Sequence, residues 1–187
     1  EKELLLVFTF LLSFLFIFTE ILYKLLFGFV GDDSGENWID RDISVYYMLG
    51  KPLASFLSLL GYNVYSSGSS IFFENLETHT LVELGIAEGC SGIASIMVFT
   101  SLFLSYIVVD VKKFNFGVFF FLILGFFMAY ISNLLRMSII VLVGHYKGME
   151  SLEFVHQYLG WLIFTGWMLI FWYLFNGYIH NIKERIK

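Results

Sequence analysis

One cysteine, one proline and a charged fraction of only 14% set the first limits on this chain of 187 residues. A lone cysteine excludes an intrachain disulfide and any multi-cysteine metal site. No basic patch or stripe is present, and the net charge is −5, which removes nucleic acid as a partner. Nothing in the composition calls for a cofactor. So few charges also exclude a soluble domain, because 58% of the residues are hydrophobic and 20% aromatic, with a mean hydropathy of +0.79. Apolar runs of about 20 residues are the mark of membrane spans. The expected class is an all-α, multi-pass membrane protein forming one domain.

About four spans are expected, over residues 4–30, 91–109, 114–134 and 160–179. The first run has neither the short apolar core nor the small-residue cleavage site of a signal peptide, so it reads as a retained span. The third run, Phe114 to Val143, is about 30 residues, roughly 45 Å as helix, against a hydrocarbon core of roughly 30 Å. It is expected to cross by about Asn133 and then bend or continue as an interfacial helix. In the second span, Ser91, Ser95, Val98, Ser101 and Ser105 recur at helical spacing, so that stripe should face the bundle and its hydroxyls should bond between helices.

Residues 31–89 are the one long polar section. Lys51-Pro52 suits the start of a short amphipathic helix over Leu53–Leu60. Tyr62–Tyr65 and Ile71–Phe73 flank Ser66-Ser67-Gly68-Ser69, a hairpin signal, and Thr80–Ile86 supplies a third strand. A small β element on the membrane surface is expected. The section carries nine acidic residues but only Arg41 and Lys51, whereas the Lys112-Lys113 turn and the tail with Lys183, Arg185 and Lys187 are basic. Low Lys/Arg content places 31–89 outside the cytoplasm and both termini inside.

Three polar groups then reach the outer face together: Cys90, Arg136 and His156. A cysteine in so apolar a chain is commonly a small hydrophobe. At a helix N-terminus, with a cation nearby, its thiolate is favoured instead. Outside the cytoplasm an unpaired thiol also needs a reason to be kept. Ser91 and Gly92 leave room for a substrate carbonyl. Arg136 reads as a snorkelling residue or as a functional charge at depth, with Asn133 three residues back to orient it. His156 precedes Gly160-Trp161 by one helical turn, whereas His79, His145 and His180 show no convergent partner in the pattern. Together the three supply a nucleophile, a cation for an oxyanion and a proton-transfer group.

In Glu88-Gly89-Cys90-Ser91-Gly92-Ile93, in Asn133-Leu134-Leu135-Arg136, and in His156 with Gly160 after it, the chain resembles the exosortase/archaeosortase family of membrane transpeptidases. The resemblance covers roughly half the chain, from Leu84 to the last helix. It implies that Cys90 is the nucleophile, Arg136 the essential arginine and His156 the third member. Many archaeal relatives have arginine at that third place, so histidine is closer to the bacterial pattern. Many members also carry more spans, so the N-terminal half reads as a reduced version. The implied substrates are exported proteins ending in a motif, a hydrophobic helix and a basic tail, with a membrane lipid or surface carrier, or water, as acceptor. Two other readings stay open on the residues themselves. One is a non-enzymatic assembly or lipid-binding factor with a structural cysteine; the other is a thiol redox partner, which the absence of a second cysteine disfavours.

Overall fold

The computed structural model describes residues 2–27, 45–86, 90, 92–111 and 115–186. The acidic stretch 31–44, the Lys112-Lys113 turn, and Glu88, Gly89 and Ser91 of the cysteine motif lie outside the described residues, as do the side chains of the basic tail. Among the described residues the protein is mostly helical, with three helices long and apolar enough to cross a membrane and one small antiparallel sheet.

The first long helix, α1 (Lys2–Phe27), lies along the third, α3 (Ile93–Tyr106), and touches it where Thr19 meets Met97. Between them comes the short helix α2 (Lys51–Leu59), whose Leu53, Ala54 and Leu57 are buried. Pro52 stands in its first turn, as Lys51-Pro52 suggested. A π turn over Tyr46–Gly50 precedes it, and the Lys51 N–H donates to Tyr46 O. Pro52 has no N–H for the carbonyl four residues back, which is that of Met48. That carbonyl accepts instead from Tyr130 Oη, at 3.1 Å. A partner 82 residues away thus lets proline sit inside a helical run.

The sheet has the order β1 (Val64–Ser67), β2 (Ser70–Asn75), β3 (Thr80–Gly85), both pairings antiparallel. Strict alternation makes β2 two-sided: Ile71, Phe73 and Asn75 are buried, while Phe72 stacks on Tyr65 on the other face at 5.0 Å. The expected hairpin is present, with Ser67 paired to Ser70 and Gly68 at φ +56 in its two-residue turn. The buried face of the sheet, α2, and Met137, Ile140 and Val141 share one apolar core with Cys90 and Leu152.

The longest helix, α4 (Phe116–Ile186, 71 residues), is two helical arms joined at Gly148, where φ 74 and ψ −177 interrupt the helix. The outgoing arm, 116–147, runs through Asn133 without a break, continuing rather than bending there. The returning arm begins at 149, well before the expected 160. Contacts step down one arm as they step up the other: Gly117 with Tyr178, Phe121 with Phe175, Arg136 with Gly160, Gly144 with Leu152. The arms are antiparallel, and the sheet closes their joint. Asn75 Nδ2 donates to Gly144 O (2.9 Å), and the Leu76 N–H donates to His145 O (2.9 Å). Last-turn carbonyls of a helix have no partner within it, so these bonds cap the outgoing arm. His145 also bonds the Glu74 carbonyl through Nδ1. The sequence pattern gave it no convergent partner; the structure gives it the sheet.

Below this joint a second core holds Phe99 and Phe103 of α3 against Trp167, Phe171 and Phe175 of the returning arm. Phe99 meets Phe171 edge-on at 4.9 Å, a favoured geometry for aromatic pairs. Its ring fits because residue 125 is glycine; a Cβ there would lie 1.9 Å from Phe99 Cζ. Ser101 and Ser105 are fully buried, so the small-residue stripe faces the bundle as expected. Their hydroxyls, however, bond Met97 O and Ser101 O of their own helix, not a neighbouring one. The carbonyl four residues back is always within reach of a helical serine, and here that local acceptor is the one used.

Candidate active site

Cys90 lies just before the first turn of α3, downstream of β3, and is 7% exposed. Its Sγ stands 3.5 Å from Nε2 of His156, which comes from the returning arm and is solvent-exposed. With neutral imidazole the thiol donates to nitrogen; with imidazolium the nitrogen donates to thiolate. Arg136, half-buried on the outgoing arm, donates from Nη2 to the Cys90 carbonyl at 3.1 Å. Asn133, one turn earlier on the same arm, donates from Nδ2 to that same oxygen at 3.0 Å. Its amide was expected to orient the guanidinium. It holds the Cys90 main chain instead.

Two glycines make the approach possible. A Cβ on Gly160 would lie 3.1 Å from Arg136 Nη1, so the guanidinium lies against bare backbone of the returning arm. Gly92 has φ +83, a left-handed conformation open to glycine, and a Cβ there would lie 2.8 Å from Asn133 Nδ2. Gly160 was part of the sequence motif but had no assigned role, since its partner is 24 residues upstream on the other arm. Arg136 Nε is buried with no hydrogen-bond partner, and no carboxylate among the described residues lies within ion-pair distance of Arg136. A buried donor left unpaired costs about 1–3 kcal/mol. A half-buried cation with no carboxylate partner among the described residues fits the pattern expected of a functional charge.

Cys90, Arg136, His156, Asn133 and Gly92 therefore meet at one point; Ser91 falls outside the described residues. His79 and His145 lie elsewhere, at the sheet. Among the described residues no cluster of three or more metal-ligating side chains occurs.

These features define a multi-pass membrane protein with a thiol, an imidazole and a guanidinium gathered where two helical arms meet a small sheet. The chain belongs to the transmembrane exosortase family, whose model (Exosortase_EpsH) matches residues 50–173. The match takes in α2, the sheet, α3 and every member of the site. Membership suggests a membrane sorting transpeptidase. No curated protein and no solved structure matches the chain.

Proposed function

We propose that the chain is a membrane cysteine peptidase and transpeptidase that removes C-terminal sorting signals from exported proteins. The observation that carries this reading is the 3.5 Å approach of Cys90 Sγ to His156 Nε2, with Arg136 bound at the Cys90 carbonyl. The thiolate attacks the scissile carbonyl, and Arg136 stabilises the oxyanion or positions the chain. The tetrahedral adduct collapses to a thioester as the C–N bond breaks, and His156 gives its proton to the leaving amine. An acceptor amine or water then attacks the thioester, losing its proton to His156, and the thiolate returns. A lipid or surface carrier is the proposed acceptor. A largely apolar groove of about 810 Å³ between the two arms, lined by Leu142, Phe154 and Val155 with Lys147 and Glu150 among its walls, supports docking of a hydrophobic signal on these arms.

The reaction predicts a covalent intermediate. Membranes containing the chain and an exported protein with the motif–helix–basic tail ending should yield a Cys90-linked acyl adduct, released by hydroxylamine and identified by mass. An adduct on any other residue, or cleavage with no dependence on Cys90, would refute the reading.

The four helical segments are proposed to cross the membrane in alternation, with both termini cytoplasmic and the site at the extracytoplasmic face. In a Cys90→Ala background, a cysteine at position 68 should react with an impermeant maleimide in intact cells. A cysteine at position 112 should react only after permeabilisation. The reverse pattern inverts the site's placement. The burial of Cys90 in the apolar core favours a second reading, a non-enzymatic membrane factor with a structural cysteine. In that case Cys90 itself resists impermeant thiol reagents.

A further inference from the structure

Asn133 has no part in the proton and electron transfers above, yet it bonds the main chain of the proposed nucleophile. It is 7% exposed. Its amide and the Arg136 guanidinium both donate to the Cys90 carbonyl, at 3.0 and 3.1 Å, so the two acceptor sites of one oxygen are filled. Two residues along, the left-handed backbone of Gly92 packs against the same amide, with no room for a Cβ between them. One short, buried side chain thus touches the chain on both sides of the motif's centre.

The consequence concerns the sulfur. A cysteine has a single side-chain torsion with three staggered positions, so once its backbone is fixed, the direction of Sγ is chosen from three. One of them brings Sγ to His156 Nε2. If the backbone rotates, none need do so. Arg136 is a poor clamp for this purpose, because its guanidinium is wanted by the oxyanion. If it left the Cys90 carbonyl alone, that oxygen would lose its partner, a cost of about 1–3 kcal/mol for a buried group. With Asn133 in place the carbonyl stays bonded, and Arg136 is free to move.

We propose that Asn133 is a positioning residue that locks the Cys90–Gly92 backbone, directs Cys90 Sγ onto His156 and frees Arg136 for the substrate. The proposal rests on the reading of Cys90 as the nucleophile. The ionisable groups facing Cys90 from the packed elements are His156 on the returning arm and Arg136 on the outgoing arm. Glu88, just upstream, lies outside the described residues.

Because Cys90 is the only cysteine, its carbamidomethylation by iodoacetamide can be followed on the full chain in lipid nanodiscs by intact mass. Each rate, taken across pH and divided by its own high-pH plateau, reports the thiolate fraction and cancels differences in access. His156→Ala should lower the normalised rate at neutral pH roughly ten-fold, the size of a one-unit rise in thiol pKa. Asn133→Ala should lower it to a similar extent. The double variant should fall no further, since Asn133 acts through the Cys90–His156 alignment. Asn133→Ser, whose shorter hydroxyl can be satisfied by its own helix, should match Asn133→Ala and guards against simple misfolding. A wild-type profile in both Asn133 variants overturns the proposal. So does an ordinary thiol profile in the wild type, or losses that multiply in the double variant. Continued processing by Cys90→Ala would instead remove the peptidase reading, and the alkylation profiles would still judge Asn133.

Discussion

Replacing Cys90 with alanine is expected to abolish substrate processing while leaving protein level and thermal midpoint almost unchanged. The side chain is small, and its core neighbours Met137, Ile140 and Ile86 remain packed on one another, so losing one sulfur leaves only a minor void. The chemical loss is of a different order. Removing the nucleophile of a catalytic set that acts as a unit costs on the order of 10⁴-fold or more in rate. Serine at this place should be nearly as inactive, because its hydroxyl has a far higher pKa than a thiol and one imidazole at 3.5 Å does not ionise it. The measurement is the ratio of processed to full-length substrate in membranes, beside a melting curve of the purified variants. Full processing by the alanine variant would end the peptidase reading. Unfolding of that variant would favour a packing role.

Arg136 and His156 should fail in different ways. Arg136→Lys keeps the charge but loses the planar fork, and an ammonium cannot reproduce a guanidinium lying against Gly160 while it bonds the Cys90 carbonyl. If the arginine stabilises the oxyanion, acylation should fall roughly 10²–10³-fold with little change in substrate association. His156→Ala should instead change the shape of the pH–rate profile, because histidine alters its charge near neutrality and arginine does not. Added imidazole, or a substrate with a better leaving group, should restore part of the rate. Single-turnover acylation across pH separates the two. Equal losses with parallel pH profiles and no imidazole rescue would show that the residues do not divide the work in this way.

Much of this site can be read from residues in a row. The Cys90 motif, Arg136 and His156 stand out because polar groups are scarce near long apolar runs, and alternating runs bring them to one end. The strands are partly readable: Ser66-Ser67-Gly68-Ser69 sits where a tight turn belongs, but Ile71-Phe72-Phe73 is a continuous apolar run and only the fold makes its burial alternate. What escapes such reading depends on partners far away in the chain. Gly148 after His145 and Lys147 is a local stop signal, but the full reversal also rests on Asn75 and Leu76 capping the arm from the sheet. Pro52 marks the start of α2 correctly, but the π turn ahead of it rests on Tyr130, whose hydroxyl bonds the Met48 carbonyl from 82 residues away. Asn133 looks like a partner for the arginine on its own face, since helical spacing shows neighbours on one helix and not the backbone opposite. The serine stripe was placed on the right face, yet its hydroxyls chose the carbonyls of their own turn.

The reversal at Gly148 also sets when the candidate site comes together. Cys90, Asn133 and Arg136 all leave the ribosome before the turn, whereas His156 and the bare backbone of Gly160 come after it. A nascent chain that ends at the outgoing arm therefore holds a thiol without its imidazole neighbour and a guanidinium without its bed. Only when the returning arm lies back along the outgoing one does Cys90 Sγ meet His156 Nε2. On the proposed reading, the site is complete only once both arms are in place, so a copy lacking the returning arm would be silent.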